Sequence, residues 1–335
     1  GMGGLAGAVA EAGNAMLPSI SIEMWVIACC LFTWLILYWG SYQSLENILL
    51  AMVLLFSFIT IVIAFSMQAT EYEVTFRQVS QGLTFNFPTE YLPLALAVFG
   101  FTGISYGEIM AYTYWCLEKG YAKDTNTDVE ETRAWIKTMQ TDVWVTVIFI
   151  TIGTLPFFFL GAGVLHHVPE LQQSLANNSF WDVDVIGALQ NMFSLVLGGW
   201  AKWLFVILAF FVLFSTLLSG TAAFTRTIAD YLISTGLILE RRETRSYLIK
   251  LIAFFIPFFS GVFYFLLPNP ITLLIIAGIW AAMGLPIVNI GALYLISKLD
   301  RDLQPKQITK IILWLSLMLQ IIMALLIIYD MTVGF

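Results

Sequence analysis

The stretch "FGFTGISYGEIMAYTYW", Phe99 to Trp115, lies within an apolar run and departs from it in two ways. It sets Gly100, Gly103 and Gly107 around Thr102 and Ser105, and it places Glu108 with no basic residue before Lys119. Why so hydrophobic a chain interrupts itself here, by close helix packing or by an unwound segment inside a span, bears on the fold.

Composition answers first. Hydrophobic residues make up 59% of the chain and charged residues 11%, and mean hydropathy is +0.86, outside the range of soluble globular domains. The chain reads as an all-α membrane protein. A bilayer core about 30 Å thick needs roughly 20 apolar residues at helical rise, and charge-free intervals supply them. About nine spans are expected in a single transmembrane domain over 1–335: 3–19, 22–42, 45–69, a discontinuous 91–119, 138–166, 200–232, 247–267, 271–297 and 308–330. Pro268, Asn269 and Pro270 divide the seventh from the eighth as a tight outer turn, because proline cannot continue a helix.

Orientation follows the basic residues, which are retained on the cytoplasmic side. Three loops hold twelve of the fifteen: Lys119, Lys123, Arg133 and Lys137; Arg241, Arg242, Arg245 and Lys250; Lys298, Arg301, Lys306 and Lys310. The segments from Gln68 to Glu90 and from His166 to Lys202 hold only Arg77 and Lys202 and are expected outside, as is the C-terminus. Net charge is −7 and is read as acidic loop surface, Glu71, Glu73, Asp182 and Asp184 among it, which gives no reason to expect nucleic acid.

Catalytic and resident-metal chemistry find no support. Cys29 and Cys30 are adjacent in a span and Cys116 stands alone, so the cysteines read as packing. No nucleophile elbow, phosphate loop or HExxH occurs, and His166 and His167 sit together at an outer helix end. The chain reads as no enzyme and needs no cofactor. Residue 1 is Gly, the first apolar run is short, and no cleavage site marks a signal peptide, so the sequence reads as N-terminally truncated.

Polar residues at membrane depth are costly and therefore functional candidates. Glu11 lies eight residues before the outer end near Ser19, about 13 Å in, and Glu108 lies eleven residues from Lys119, about 16 Å in. Arg226 falls at the inner interface, suited to snorkelling or to pairing with Asp230. Two readings of the glycines stand side by side. Gly103 and Gly107 have the small-xxx-small spacing of close helix packing. Alternatively, helix weakened by glycine at the midplane unwinds to expose carbonyl oxygens, as in several secondary transporters.

Three stretches carry a resemblance. "LILYWGSYQSLENILLAMVLL", Leu35 to Leu55, "LLSGTAAFTRTIADYL", Leu217 to Leu232, and "GLPIVNIGALYLISK", Gly284 to Lys298, resemble the fourth-to-fifth helix junction, the eighth helix and the tenth helix of the natural resistance-associated macrophage protein (Nramp) metal-ion transporters. The resemblance spans nearly the whole chain. It implies a leucine-transporter-like helical bundle lacking its first two helices, and with them the family's Asp-Pro-Gly-Asn motif. Where the family's sixth helix has Met-Pro-His, this chain has Ile104, Ser105 and Tyr106. The soft thioether is missing, which leans the site toward harder cations such as Mg²⁺ or Mn²⁺. Glu11 matches the glutamate of the third helix, but its Asp partner is Ala8 here, and the tenth-helix glutamine falls at about Gly278.

The resemblance implies a secondary transporter of divalent cations of the Mn/Fe/Mg class, working by alternating access around the unwound segment 102–108. The expected cation ligands are Thr102, Ser105, Tyr106 and Glu108; the family's usual proton pathway does not carry over to this chain, and Glu11 with Asn14 is expected as the proton station of a symport or as a second polar station. The metal is then substrate, and the setting is the bacterial inner membrane. Two alternatives stay open. One is a carrier of an organic solute such as an amino acid, which Glu108 would repel as an anion; the other is a non-transporting structural or receptor-like membrane protein.

Overall fold

Helices make up the regular structure, and no strand occurs among the described residues. The structure is a computed structural model that describes residues 1–39, 42–84, 92–101, 104–121, 129–168, 184–239 and 243–333. In chain order the α-helices are α1 (Met2–Met16), α2 (Ile22–Trp39), α3 (Tyr42–Met67), α4 (Phe76–Gly82), α5 (Leu92–Phe101), α6 (Tyr106–Glu118), α7 (Val129–Gly163), α8 (Val185–Leu197), α9 (Ala201–Ser234), α10 (Thr244–Leu266), α11 (Pro270–Lys298) and α12 (Gln307–Val333).

Among the described residues eight segments are long and apolar enough to cross a membrane, one of them running from α5 into α6. The ninth expected span, over 3–19, is the 15-residue α1. Pro18 is the physical reason it stops. The residue before proline is pushed out of the helical region, and Leu17 takes φ −132° and ψ 83°. The outer segments expected as loops also carry helix: α4 is closed by a capping box in which Thr75 and Gln78 exchange bonds, and α8 buries Ile186, Met192 and Phe193.

The chain divides into two compact units, Gly1–Asn86 with Ile150–Leu274, and Phe87–Phe149 with Ile275–Phe335. In the first unit α1 is enclosed by α2, α9 and α10. Its small residues allow this, because without a hydrophobic force between helices in lipid, association depends on close backbone approach. A Cβ at Gly7 would fall 2.3 Å from the Tyr264 ring, and one at Gly13 would fall 2.5 Å from the Trp25 indole. Around this centre Val9, Val26, Cys29, Leu217 and Tyr264 form one buried cluster, and Ile63, Met67, Leu160, Phe193 and Phe205 form another.

The second unit holds α5, α6, the start of α7, most of α11, and α12. Leu96, Ala282 and Ile327 form its buried cluster. Polar side chains join its helices: Asn289 Nδ2 donates to Gln320 Oε1 at 3.1 Å, and Gln320 Nε2 donates to Ser316 Oγ at 3.2 Å. At its inner edge, by the expected orientation, Arg133 donates twice to the Asp302 carbonyl, at 2.9 and 3.2 Å.

Candidate functional site

The helix that begins at Leu92 ends at Phe101, and a new one begins at Tyr106, with Ile104 and Ser105 outside helical conformation between them. Thr102 and Gly103, the first of them an expected ligand, lie outside the described residues. Ser105 is the N-cap of α6, with φ −76° and ψ 170°. Helix starts leave N–H groups without intrahelical partners, and Glu108 at the third helical position meets that demand. Its Oε2 accepts the Ser105 backbone N–H at 2.8 Å and also the Ser105 hydroxyl. The carboxylate that lacks a basic partner in the sequence is therefore not idle; it holds the restart of the broken helix.

Tyr106 follows directly and packs on α11, where a Cβ at Gly284 would lie 2.8 Å from its ring. In the last turn of α5, Gly100 and Gly278 let α5 and α11 touch: a Cβ at Gly100 would fall 1.9 Å from the Gly278 carbonyl oxygen, and one at Gly278 2.5 Å from that of Ala97. Gly278 is where the resemblance places the family's tenth-helix glutamine, so a backbone contact occupies the position of that polar side chain. Gly100 thus takes the packing role that the sequence left open for the glycines of this stretch.

Ser105, Tyr106 and Glu108 come together in the second unit, whereas Glu11 and Asn14 belong to the first. There they line a cavity of about 460 Å³ with Asp184, Gln190, Pro268, Asn269 and Pro270. Asn14 Nδ2 donates to the Ile20 carbonyl at 2.8 Å. Asn269 Oδ1 accepts from the Thr272 N–H at 3.0 Å, capping α11 ahead of Pro270. Asp184 Oδ1 accepts from the Gly187 N–H at 2.9 Å and caps α8. Asp184 is exposed, as a loop-surface residue would be, and has a second role as a helix cap that brings another carboxylate to the cavity of Glu11. Its place just before the apolar run "VIGALQNMFSLVL" is an N-terminal helix signal that would have found it.

The remaining candidates are structural. Arg226 donates to the Ala222 carbonyl at 2.8 Å within its own helix, and Asp230 takes Arg245, with Nε 2.7 Å from Oδ1. His167 Nδ1 lies 2.6 Å from the Gly163 carbonyl at the end of α7. Cys29, Cys30 and Cys116 are free and buried. Among the described residues no three His, Cys, Asp or Glu side chains gather as a metal cluster.

Membrane-crossing helices, one of them broken where polar side chains collect, define a multi-pass helical membrane protein. A model of the Natural resistance-associated macrophage protein-like family, Nramp, matches residues 3–330, and the chain belongs to that family of metal-ion transporters. The family carries divalent cations and its members are transporters, not enzymes. No curated protein matches the chain.

Proposed function

We propose that the protein moves a divalent cation of the Mn/Fe/Mg class by alternating access, with Thr102, Ser105, Tyr106 and Glu108 as this chain's part of the cation site. The observation that carries the reading is the helix break between Phe101 and Tyr106, with a carboxylate at its edge. Glu108 Oε2 takes both Ser105 bonds, which leaves Oε1 for a cation. Hydroxyl, carboxylate and carbonyl oxygens are hard ligands, and with Ile104 in place of a thioether they favour Mg²⁺ or Mn²⁺ over softer metals. Glu11 and Asn14, at the 460 Å³ cavity of the first unit, serve as the proton station of a symport. The protein then works in the bacterial inner membrane with its C-terminus outside.

Glu108 as a helix cap alone is the competing role, and one substitution separates the two. Glutamine occupies the same position in capping boxes, so Glu108→Gln keeps the cap and removes the charge. In proteoliposomes holding the full-length protein, Mn²⁺ and Mg²⁺ uptake should show a KM raised about tenfold or more, the scale of one charge-assisted contact. Unchanged uptake with unchanged selectivity would retire Glu108 as a ligand.

A further inference from the structure

The seam between the end of α2 and the start of α10, within the first unit, has a chemistry that transport does not use. Trp34 and Tyr38 stand one turn apart on α2, while Lys250, Phe254 and Phe258 succeed one another at turn spacing on α10. The Trp34 and Phe254 rings meet edge to face at 5.4 Å, Trp34 and Tyr38 lie 5.8 Å apart, and Tyr38 and Trp39 lie 5.4 Å apart. Phe254 stacks on Phe258 at 6.1 Å, and Lys250 Nζ sits over the Tyr38 ring, 5.4 Å from its centroid. These rings remain open: Tyr38 is 41% exposed, Phe258 52% and Trp39 74%.

The charge at the mouth of the seam is available. A ring face engages one side of an ammonium and leaves its other N–H donors free. Arg245, one turn before Lys250, is held by Asp230, and among the described residues no carboxylate pairs with Lys250. A cation therefore caps an apolar strip that runs down a membrane helix, and the exposed Trp39 ring lies against the same Tyr38 that the cation covers.

We propose that this seam binds an anionic phospholipid, its phosphate against Lys250 and the Trp39 indole and an acyl chain along Phe254 and Phe258. Charge selects the headgroup, the apolar strip requires a chain attached to it, and both lie at a helix end where a lipid headgroup resides. A free phosphate would use the cation alone. The second unit supplies a built-in comparison: Lys298 Nζ also lies 5.4 Å from a tyrosine ring, that of Tyr294, without a neighbouring ring stack among the described residues.

The test is native mass spectrometry and thermal melting of the full-length protein with phosphatidylglycerol, with phosphatidylcholine of the same chains, and with inorganic phosphate. Phosphatidylglycerol should be retained and should raise the melting midpoint more than either other probe. Lys250→Gln should weaken its retention about fivefold, the scale of one basic residue at a membrane surface, while Lys250→Arg retains it and Lys298→Gln leaves it unchanged. Equal losses in Lys250→Gln and Lys298→Gln, equal retention of phosphatidylcholine, or a full shift from inorganic phosphate would overturn the proposal. Should Lys250→Gln fail to fold, the wild-type preference for phosphatidylglycerol must shrink as salt is raised; a preference indifferent to salt overturns it too.

Discussion

Glu108 sits at the third position of α6, where the helix presents unpaired N–H groups and its dipole favours an anion. Capping occupies Oε2 of the carboxylate, and a cation would take Oε1 of the same group. Among the described residues Glu11 has no such second duty, and it lines a cavity shared with Asp184. If it is the proton station, Glu11→Gln should flatten the dependence of metal uptake on external pH while leaving the metal KM within about twofold, a change well below one hydrogen bond. The check is initial-rate uptake at acidic and neutral external pH; a profile that keeps its wild-type shape removes Glu11 from the proton path. At this scale the sequence was half legible. Ser105 and Glu108 have the S-x-x-E spacing of a capping box, yet the spacing alone does not tell a cap from a ligand. Depth along the helix identified Glu11, whereas Asp184 came to the same cavity only through the folding of α8.

Among elements, the contact of α5 with α11 rests on two glycines. A Cβ at Gly100 would meet backbone on the opposing helix, the Gly278 carbonyl oxygen at 1.9 Å and the Ala282 nitrogen at 2.8 Å, and no side-chain rotation relieves that. Gly100→Ala should destabilise the protein by about 1–3 kcal/mol, the usual cost of overpacking, despite the better helix propensity of alanine. Gly161→Ala is the control, because nothing lies within 4 Å of its added Cβ. Thermal melting in detergent compares them, and equal midpoints would show that the two helices do not need this approach. The unwound segment expected over 102–108 ends earlier than that, because Ser105 and Glu108 cap a helix that resumes at Tyr106 and takes in Gly107 and Glu108; the preceding helix does end at Phe101, among the clustered glycines. They did not identify Gly278 as the partner of Gly100, because that pairing is a long-range contact without local periodicity. Helices α4 and α8 are hard to read from sequence for a related reason: they are short, capped segments between charged residues and not charge-free spans.

For the whole molecule, orientation is the property that the transport reading needs and that charge asymmetry sets. Ser80 lies in an expected outer segment and Lys306 in an expected cytoplasmic loop, with five expected spans between them, so they must face opposite sides; one more span returns Thr332 to the side of Ser80. All three positions are exposed, and the native cysteines give little background, with Cys29 4%, Cys30 9% and Cys116 7% exposed. A membrane-impermeant maleimide should therefore label Ser80→Cys and Thr332→Cys in intact cells, and Lys306→Cys only after permeabilisation. The mirror-image pattern would reverse the orientation and, with it, the side from which the cavity of Glu11 is reached. Labelling of Ser80→Cys and Lys306→Cys from one side would break the odd count of crossings between them. The broken α5–α6 segment would then be the first to lose its place as a span, because the other four intervening crossings are continuous helices of 23 residues or more, and a segment that does not cross would not carry Glu108 to the midplane.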